Sequence, residues 1–157
     1  MELDSALDIE AKAIRLLAMR EHSRSELASK LSSASSNSNV IEQVLDDLVR
    51  RNLLSDERFA EQYVEMRIRK GYGPLRIRSE LEQRGISSNL ISLYLDEIGA
   101  DWRAILRDVA TSKFGHQVAD TPKQQAKQAR FLEYRGFPVS IIRSWLWDSS
   151  SEADYLD

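Results

Sequence analysis

The residues that could do chemistry in this chain are concentrated in one basic stretch. Arg67, Arg69, Lys70, Arg76, Arg78 and Arg84 fall within eighteen positions, interrupted only by Glu80 and Glu82, and Tyr72 sits at a corner between Gly71 and Gly73. Guanidinium and ammonium groups at this density suit contact with phosphates or acidic side chains. Part of the run has helical partners of its own. Glu65 and Arg69 form a favourably oriented i,i+4 pair, and Arg76–Glu80 and Arg78–Glu82 pair in the weaker order. Arg67, Lys70, Arg76 and Arg84 have fewer obvious helical partners and are the better candidates for contact.

Catalysis requires several convergent groups, and no such constellation is visible. His22 and His116 stand about ninety residues apart. Neither belongs to an HExxH or other metal-ligand spacing, so both read as turn or surface residues. There is no GxxxxGK[ST] loop for nucleotide phosphates. Gly71-Tyr72-Gly73-Pro74 joins two helical patterns and reads as a helix–helix turn. Asp46-Asp47 and Asp96-Glu97 occupy equivalent places in a repeating pattern, which favours a structural or electrostatic role over a unique acid/base pair. An enzyme is disfavoured, and neither a cofactor nor a metal site is expected.

Composition narrows the class. The 157 residues contain no cysteine, which removes disulfides and thiolate metal sites. No window approaches a membrane span, and the acidic start MELDSALDIEAK lacks the basic region of a signal peptide. A soluble cytoplasmic protein is expected. The net charge of −3 is unevenly spread. Residues 1–57 carry −4, residues 58–84 carry +3 and residues 85–157 carry −2. A positive centre between acidic flanks suits an anionic partner, whereas an acidic chain argues against strong non-specific nucleic-acid binding.

The elements that must position the basic stretch are helices. From Leu3 to about Glu21, Ile9, Ala13, Ile14, Leu16 and Leu17 recur at helical spacing. Ser23 and Glu26 form a capping box opening a second helix with Leu27 and Leu31 on one face. The run SSASSNSN, residues 32–39, reads as a flexible polar loop with nothing to bury. A third helix carries Val40, Ile41, Val44, Leu45 and Leu48 and stops near Asn52; Ser55 caps the next. Helix four carries Phe59, Tyr63, Val64 and Met66, and helix five carries Ile77 and Leu81. Helix six carries Leu90, Ile91, Tyr94, Leu95 and Ile98, and Gly99 closes it.

A shift of fifty residues superposes the apolar positions of the first cycle on the second: Ile9 on Phe59, Leu27 on Ile77, Leu31 on Leu81, and Val44-Leu45 on Tyr94-Leu95. A shift of fifty-one maps the second cycle onto a third. Leu81 meets Leu132, Arg84-Gly85-Ile86 meets Arg135-Gly136-Phe137, and Tyr94 meets Trp145. Trp145 therefore reads as core, and Trp147, two positions away, as exposed. Fixed-period self-similarity marks a repeat array. The predicted fold is all-α, with three tandem three-helix repeats of helix-turn-helix type in an elongated, curved array: residues 1–53, 54–99 and 100–149, then a polar, frayed tail over 150–157.

RKGYGPLRIRSELEQRGI in the second repeat, the preceding LLSDERFAEQYVEMR, REHSRSELASKL in the first and RFLEYRGFPVSII in the third together resemble the RecX regulators of the bacterial recombinase RecA. The similarity spans roughly Ala11 to Trp147 and is most specific from Leu54 to Ile86. This resemblance implies three three-helix repeats and a non-enzymatic protein that lies in the helical groove of RecA filaments on single-stranded DNA. It further implies inhibition of strand exchange, ATP hydrolysis and coprotease activity, limited filament extension, and an influence on recombinational repair and the SOS response. By the same likeness, Arg67, Arg69, Lys70, Tyr72, Arg76, Arg78 and Arg84 would meet the recombinase filament or its DNA. Direct DNA contact is expected to be weak, because the chain is acidic overall, and the free protein is expected to be a monomer. Two alternatives stand beside this reading: a sequence-tolerant DNA-binding helical module, and a helical scaffold for another oligomer.

Overall fold

A computed structural model of the chain describes residues 5–97, 100–116 and 119–155. Among them are nine α-helices, one π-helical turn and no strand. The order is α1 (Ala6–Met19), α2 (Arg24–Ser32), α3 (Ser38–Arg50), α4 (Asp56–Arg69), α5 (Pro74–Gln83), α6 (Ser88–Ser92), α7 (Trp102–Phe114), α8 (Pro122–Tyr134) and α9 (Val139–Tyr155). The π-helical turn, Leu93–Glu97, continues α6. Ile98 and Gly99, expected to end that helix, lie outside the described residues. α9 runs on to Tyr155, through residues expected to belong to a frayed tail.

Short polar side chains set the helix starts by accepting from otherwise unsatisfied first-turn N–H groups. The Ser23 Oγ accepts from the Glu26 N–H at 3.0 Å, and the Ser55 Oγ from that of Arg58 at 3.2 Å, as the sequence predicts. Thr121 caps α8, with Pro122 at its first position. Asn52, at φ 58°, ends the first repeat in the left-handed conformation, and the Leu53 N–H returns to the Leu48 carbonyl at 2.9 Å. The second and third repeats turn after their second helices at Gly85 and Gly136, both at positive φ. There the N–H groups of Ile86 and Phe137 reach back to Leu81 and Leu132, each at 3.1 Å. The fifty-one-residue correspondence therefore extends from side-chain types to backbone geometry.

The chain divides into two compact units. One comprises Met1–Tyr63 with Leu81–Tyr94, and the other Val64–Glu80 with Leu95–Asp157. In the first, α1, α2 and α3 enclose a core of Ile9, Ala13, Leu27, Leu31, Leu45 and Leu48, with Ile41, Val44 and Leu54 also buried. In the second, α7, α8 and α9 enclose Leu106, Ala110, Leu132, Phe137 and Ile142, with Trp102, Trp145 and other partly buried side chains packed around them. Burial of each large side chain contributes about 1.5–3 kcal/mol. Trp147 is exposed, as expected.

Both units contain the same joint, and this is why the division runs through the middle repeat. In the first unit the Ser23 hydroxyl donates to the Arg84 carbonyl at 2.7 Å. A Cβ on Gly85 would stand 2.5 Å from the Ser25 Cβ, so the turn after α5 lies directly on the start of α2. In the second unit the Gly73 N–H donates to the Arg135 carbonyl at 2.8 Å, and the Leu75 N–H to that of Gly136 at 2.9 Å. A Cβ on Gly136 would stand 2.4 Å from the Arg76 Cβ, so the turn after α8 lies on the start of α5. Advancing Ser25, Arg84 and Gly85 by fifty-one residues gives Arg76, Arg135 and Gly136. The position equivalent to Ser23 is Pro74, which has no donor, and the N–H groups on either side of it take over.

Three local expectations are corrected. Ile14 is half out of the core, 38% exposed. Ser35 is buried within the polar loop, where its Oγ accepts from the Asn37 N–H at 3.2 Å. His22, expected at the surface, is buried. Its Nδ1 lies 3.0 Å from the Arg20 carbonyl and its Nε2 2.9 Å from the Lys30 Nζ. Both contacts are satisfied when neutral imidazole donates from Nδ1 and accepts at Nε2. Burial pushes its pKa below the usual value, the charges of Arg20 and Lys30 act in the same direction, and the hydrogen bond to the Arg20 carbonyl opposes them.

Candidate functional site: the arginine cluster around Tyr72

α4 ends in the second unit at Arg69, and Gly71, at φ 88°, turns the chain toward α5. The Tyr72 N–H closes this turn on the Arg67 carbonyl at 3.1 Å. Gly73 is required to be small: a Cβ there would lie 2.5 Å from the Gly136 carbonyl carbon and oxygen. The turn is thereby held by α8's end, and Tyr72 becomes the centre of a cationic cluster.

Three guanidinium groups surround the Tyr72 ring. Their central carbons lie 3.8 Å (Arg67), 4.4 Å (Arg76) and 4.8 Å (Arg135) from its centroid. Cation–π attraction contributes about 0.5–1 kcal/mol for each such contact at exposed sites and more on desolvation. One carboxylate serves two of the three cations: Glu80 Oε1 accepts from Arg67 Nη2 at 2.7 Å and from Arg76 Nε at 3.2 Å. The Arg67 Nε is buried without a hydrogen-bond acceptor among the described residues. Arg76 also lies over Tyr134, a ring 76% exposed, with 5.3 Å to the centroid. Burial is the largest influence on the Arg76 pKa and lowers it; hydrogen bonds to the side chains of Glu80 and Tyr134, with the charges of Tyr72 and Glu80, outweigh that, and the net shift is upward. Arg135 Nη1 donates to the Lys70 carbonyl at 3.1 Å, tying down the C-terminal end of α4.

The seven residues singled out in the sequence thus separate into groups. Arg67, Tyr72 and Arg76 come together, in a cluster largely occupied with itself. Arg78 pairs with Asp96 at 2.8 Å, rather than with Glu82. Arg84 belongs to the first unit, where its Nε lies 3.3 Å from Glu26 and its guanidinium 4.7 Å from the Tyr63 ring centroid. Arg69 and Lys70 are exposed and make no ion pair among the described residues. This reverses part of the sequence expectation. Arg67 and Arg84 have partners outside their own helices, and Arg76 keeps the i,i+4 pair with Glu80 that its spacing predicted, whereas Arg69 lacks the helical pair with Glu65 that its spacing predicted. Sequence reasoning also passed over Arg135 and Tyr134. The fifty-one-residue shift could have pointed to Arg135, since it places that residue opposite Arg84.

The cluster holds a turn. Among the described residues no group of three or more His, Asp or Glu side chains is arranged to hold a metal ion. No helix among them is long and apolar enough to cross a membrane.

Comparison with known proteins assigns the three repeats. Residues 11–48 match the family model of the RecX first three-helix domain, residues 55–95 the second and residues 101–146 the third. The chain belongs to the RecX family. It is 44% identical over 140 residues to regulatory protein RecX of Pseudomonas fluorescens, covering 89% of this chain and 90% of that one. It is 42% identical, with the same coverage, to regulatory protein RecX of Pseudomonas syringae pv. tomato. Among solved structures, RecX from Lactobacillus salivarius shares the fold with a TM-score of 0.77 at 20% identity, over 92% of this chain and 96% of that one. A second RecX crystal structure gives 0.71 at 23% identity, over 94% and 79%. The all-α arrangement of three RecX three-helix domains, read first from periodicity, is the fold of this chain.

Proposed function

We propose that this RecX-family chain regulates the recombinase RecA, binding RecA filaments on single-stranded DNA in their helical groove. Bound there, it inhibits strand exchange, ATP hydrolysis and coprotease activity and limits filament extension, and so modulates recombinational repair and the SOS response. In this reading it is a non-enzymatic, cytoplasmic monomer when free. The observation that carries the proposal is the match, in order along the chain, to all three RecX domains, with relatives named regulatory proteins over almost their whole length. Tandem domains suit a repeating partner, because each added contact raises overall affinity through effective concentration.

The cation geometry refines the role of each residue. Arg67, Tyr72 and Arg76 hold the α4–α5 turn in shape, and Arg84 supports the first-unit joint. Arg69 and Lys70, exposed and without ion pairs among the described residues, carry the contact with acidic recombinase surface or filament DNA, and Arg78, paired with Asp96, is the third candidate. The test is co-sedimentation with RecA filaments on single-stranded DNA. Replacing Arg69, Lys70 and Arg78 together by glutamate should reduce retention while leaving the far-ultraviolet circular dichroism spectrum unchanged. Undiminished retention of that folded variant would remove these cations from the contact. Retention on naked single-stranded DNA equal to that on filaments, with a steep salt dependence, would instead make the chain a DNA-binding module.

A further inference from the structure

Within the second unit, the end of α4, α7 and the end of α8 line a groove of about 540 Å³ that none of the pairings above fills. Its charged lining is Arg69, Lys70, Lys113 and Arg135 against a single carboxylate, Asp108. Apolar side chains of Ile68, Ile105, Val109 and Phe131 also line it. Arg135 is fixed by its bond to the Lys70 carbonyl, and Lys113 Nζ stands 5.3 Å from the Phe131 ring centroid. Arg69, Lys70 and Lys113 are exposed and have no carboxylate partner among the described residues.

We infer that this groove binds an acidic amphipathic peptide segment of a partner protein. Carboxylates of the segment meet Arg69, Lys70 and Lys113, and an aliphatic or aromatic side chain between them covers Ile105 and Val109. The volume falls within the usual range for ligand sites, about 300–1,000 Å³. Cationic edges beside apolar surface are complementary to such a segment in both charge and hydrophobicity. Two features favour a peptide over single-stranded nucleic acid. Asp108 would repel a phosphodiester chain, yet can accept from a peptide N–H. Base stacking needs an uncovered aromatic face, and Phe131 is already engaged by Arg135 at 5.1 Å, by Lys113 and by Phe114, whose ring meets it edge-on at 5.3 Å.

The groove shares Arg69 and Lys70 with the filament contact proposed above, but the inference names a distinct pocket and chemistry and can be tested without recombinase. The probe is a short fluorescein-labelled synthetic peptide with aspartates and glutamates flanking a leucine and a phenylalanine, titrated with the full chain and followed by anisotropy. Saturable binding is expected, and it should be lost when the carboxylates are replaced by amides. Arg69→Glu with Lys70→Glu should weaken binding by about tenfold or more through like-charge repulsion, and Ser112→Glu, which adds a carboxylate to the same lining, should weaken it too. Lys123→Glu, exposed at the far end of α8 from Arg135 and outside the groove lining, should leave affinity within about twofold, since mutating a remote exposed charge perturbs a site little at moderate salt. Absence of saturable binding, or equal affinity in the groove variants with an intact helical spectrum, overturns the inference. So does an oligothymidylate that binds more tightly than the peptide and loses affinity in the same variants. Failure of the peptide titration with filament binding intact rejects this inference alone; peptide binding without filament binding rejects only the filament reading.

Discussion

Replacing Gly73 with alanine should break the second-unit joint, although Gly73 does not adopt a left-handed backbone. The new Cβ would lie 2.5 Å from the carbonyl carbon and oxygen of Gly136 and 2.7 Å from the amide nitrogen of Phe137. All three are backbone atoms, so no side-chain rotation relieves the overlap, and the two turns must move apart. That motion lengthens the Gly73–Arg135 and Leu75–Gly136 hydrogen bonds, now 2.8 and 2.9 Å. Two such bonds are worth about 1 kcal/mol each in net stability, and more if their groups are left buried and unpaired. Alanine returns about 0.4–1 kcal/mol by restricting the unfolded chain. The bonds alone leave a net loss of about 1–1.6 kcal/mol, and groups left buried and unpaired raise it to about 2–3 kcal/mol. The assay is urea unfolding followed by tryptophan fluorescence, because Trp102, Trp145 and Trp147 all belong to the second unit. Gly71→Ala is the control. Gly71 has a φ of 88° but a Cβ there would meet only side chains, Val109 at 3.4 Å and Arg135 at 3.6 Å, so it should lose about 1–2 kcal/mol from backbone strain without disturbing the joint. A Gly73→Ala protein as stable as the parent, or more stable, would refute the close backbone contact on which the joint depends.

Three further outcomes follow from the same geometry. Ser23→Ala removes both the α2 cap and the donor to the Arg84 carbonyl; unfolding of the first unit, followed by circular dichroism in urea, should show a loss of about 2–3 kcal/mol. Tyr72→Phe keeps the ring beneath its three guanidiniums and should stay within about 0.5 kcal/mol of the parent, whereas Tyr72→Ala should lose about 2 kcal/mol in the tryptophan-monitored assay. His22 is held neutral when folded, with its pKa below the ordinary imidazole value. The unfolded chain therefore binds the proton first as pH falls, and the stability contributed by neutral His22 declines from about pH 6.5 downward, toward the lower folded pKa. Urea midpoints at pH 7.5 and 5.5 should differ more for the parent than for His22→Asn, and an equal difference in both would remove His22 from the pH response.

Much of this architecture could be read from residue types alone because its causes are local. Ser23 and Ser55 cap helices within three residues, and the Leu-to-Ile/Phe return at Gly85 and Gly136 lies within a single turn. The apolar positions repeat at fixed spacing, which made the three helical units countable. Partners brought together by tertiary folding were not legible. Glu80 lies thirteen residues from Arg67 and Asp96 eighteen from Arg78, whereas helical pairing rules look only three or four positions away. This is why cations that looked unpartnered are paired, while Arg69, whose spacing promised a partner, has none. His22 illustrates the same limit: a polar residue in a short connection is usually exposed, but Lys30 one helix later and the Arg20 carbonyl satisfy both ring nitrogens. The π-helical turn at Leu93–Glu97 has no evident local sequence cause.

The most direct measurement is single-stranded-DNA-dependent ATP hydrolysis by the cognate RecA with this protein added well below one copy per recombinase. Filament-directed regulation predicts strong inhibition at that ratio, weakened when Arg69, Lys70 and Arg78 are replaced together by glutamate. Unchanged hydrolysis, even at one copy per recombinase and with the protein fully folded, would contradict it.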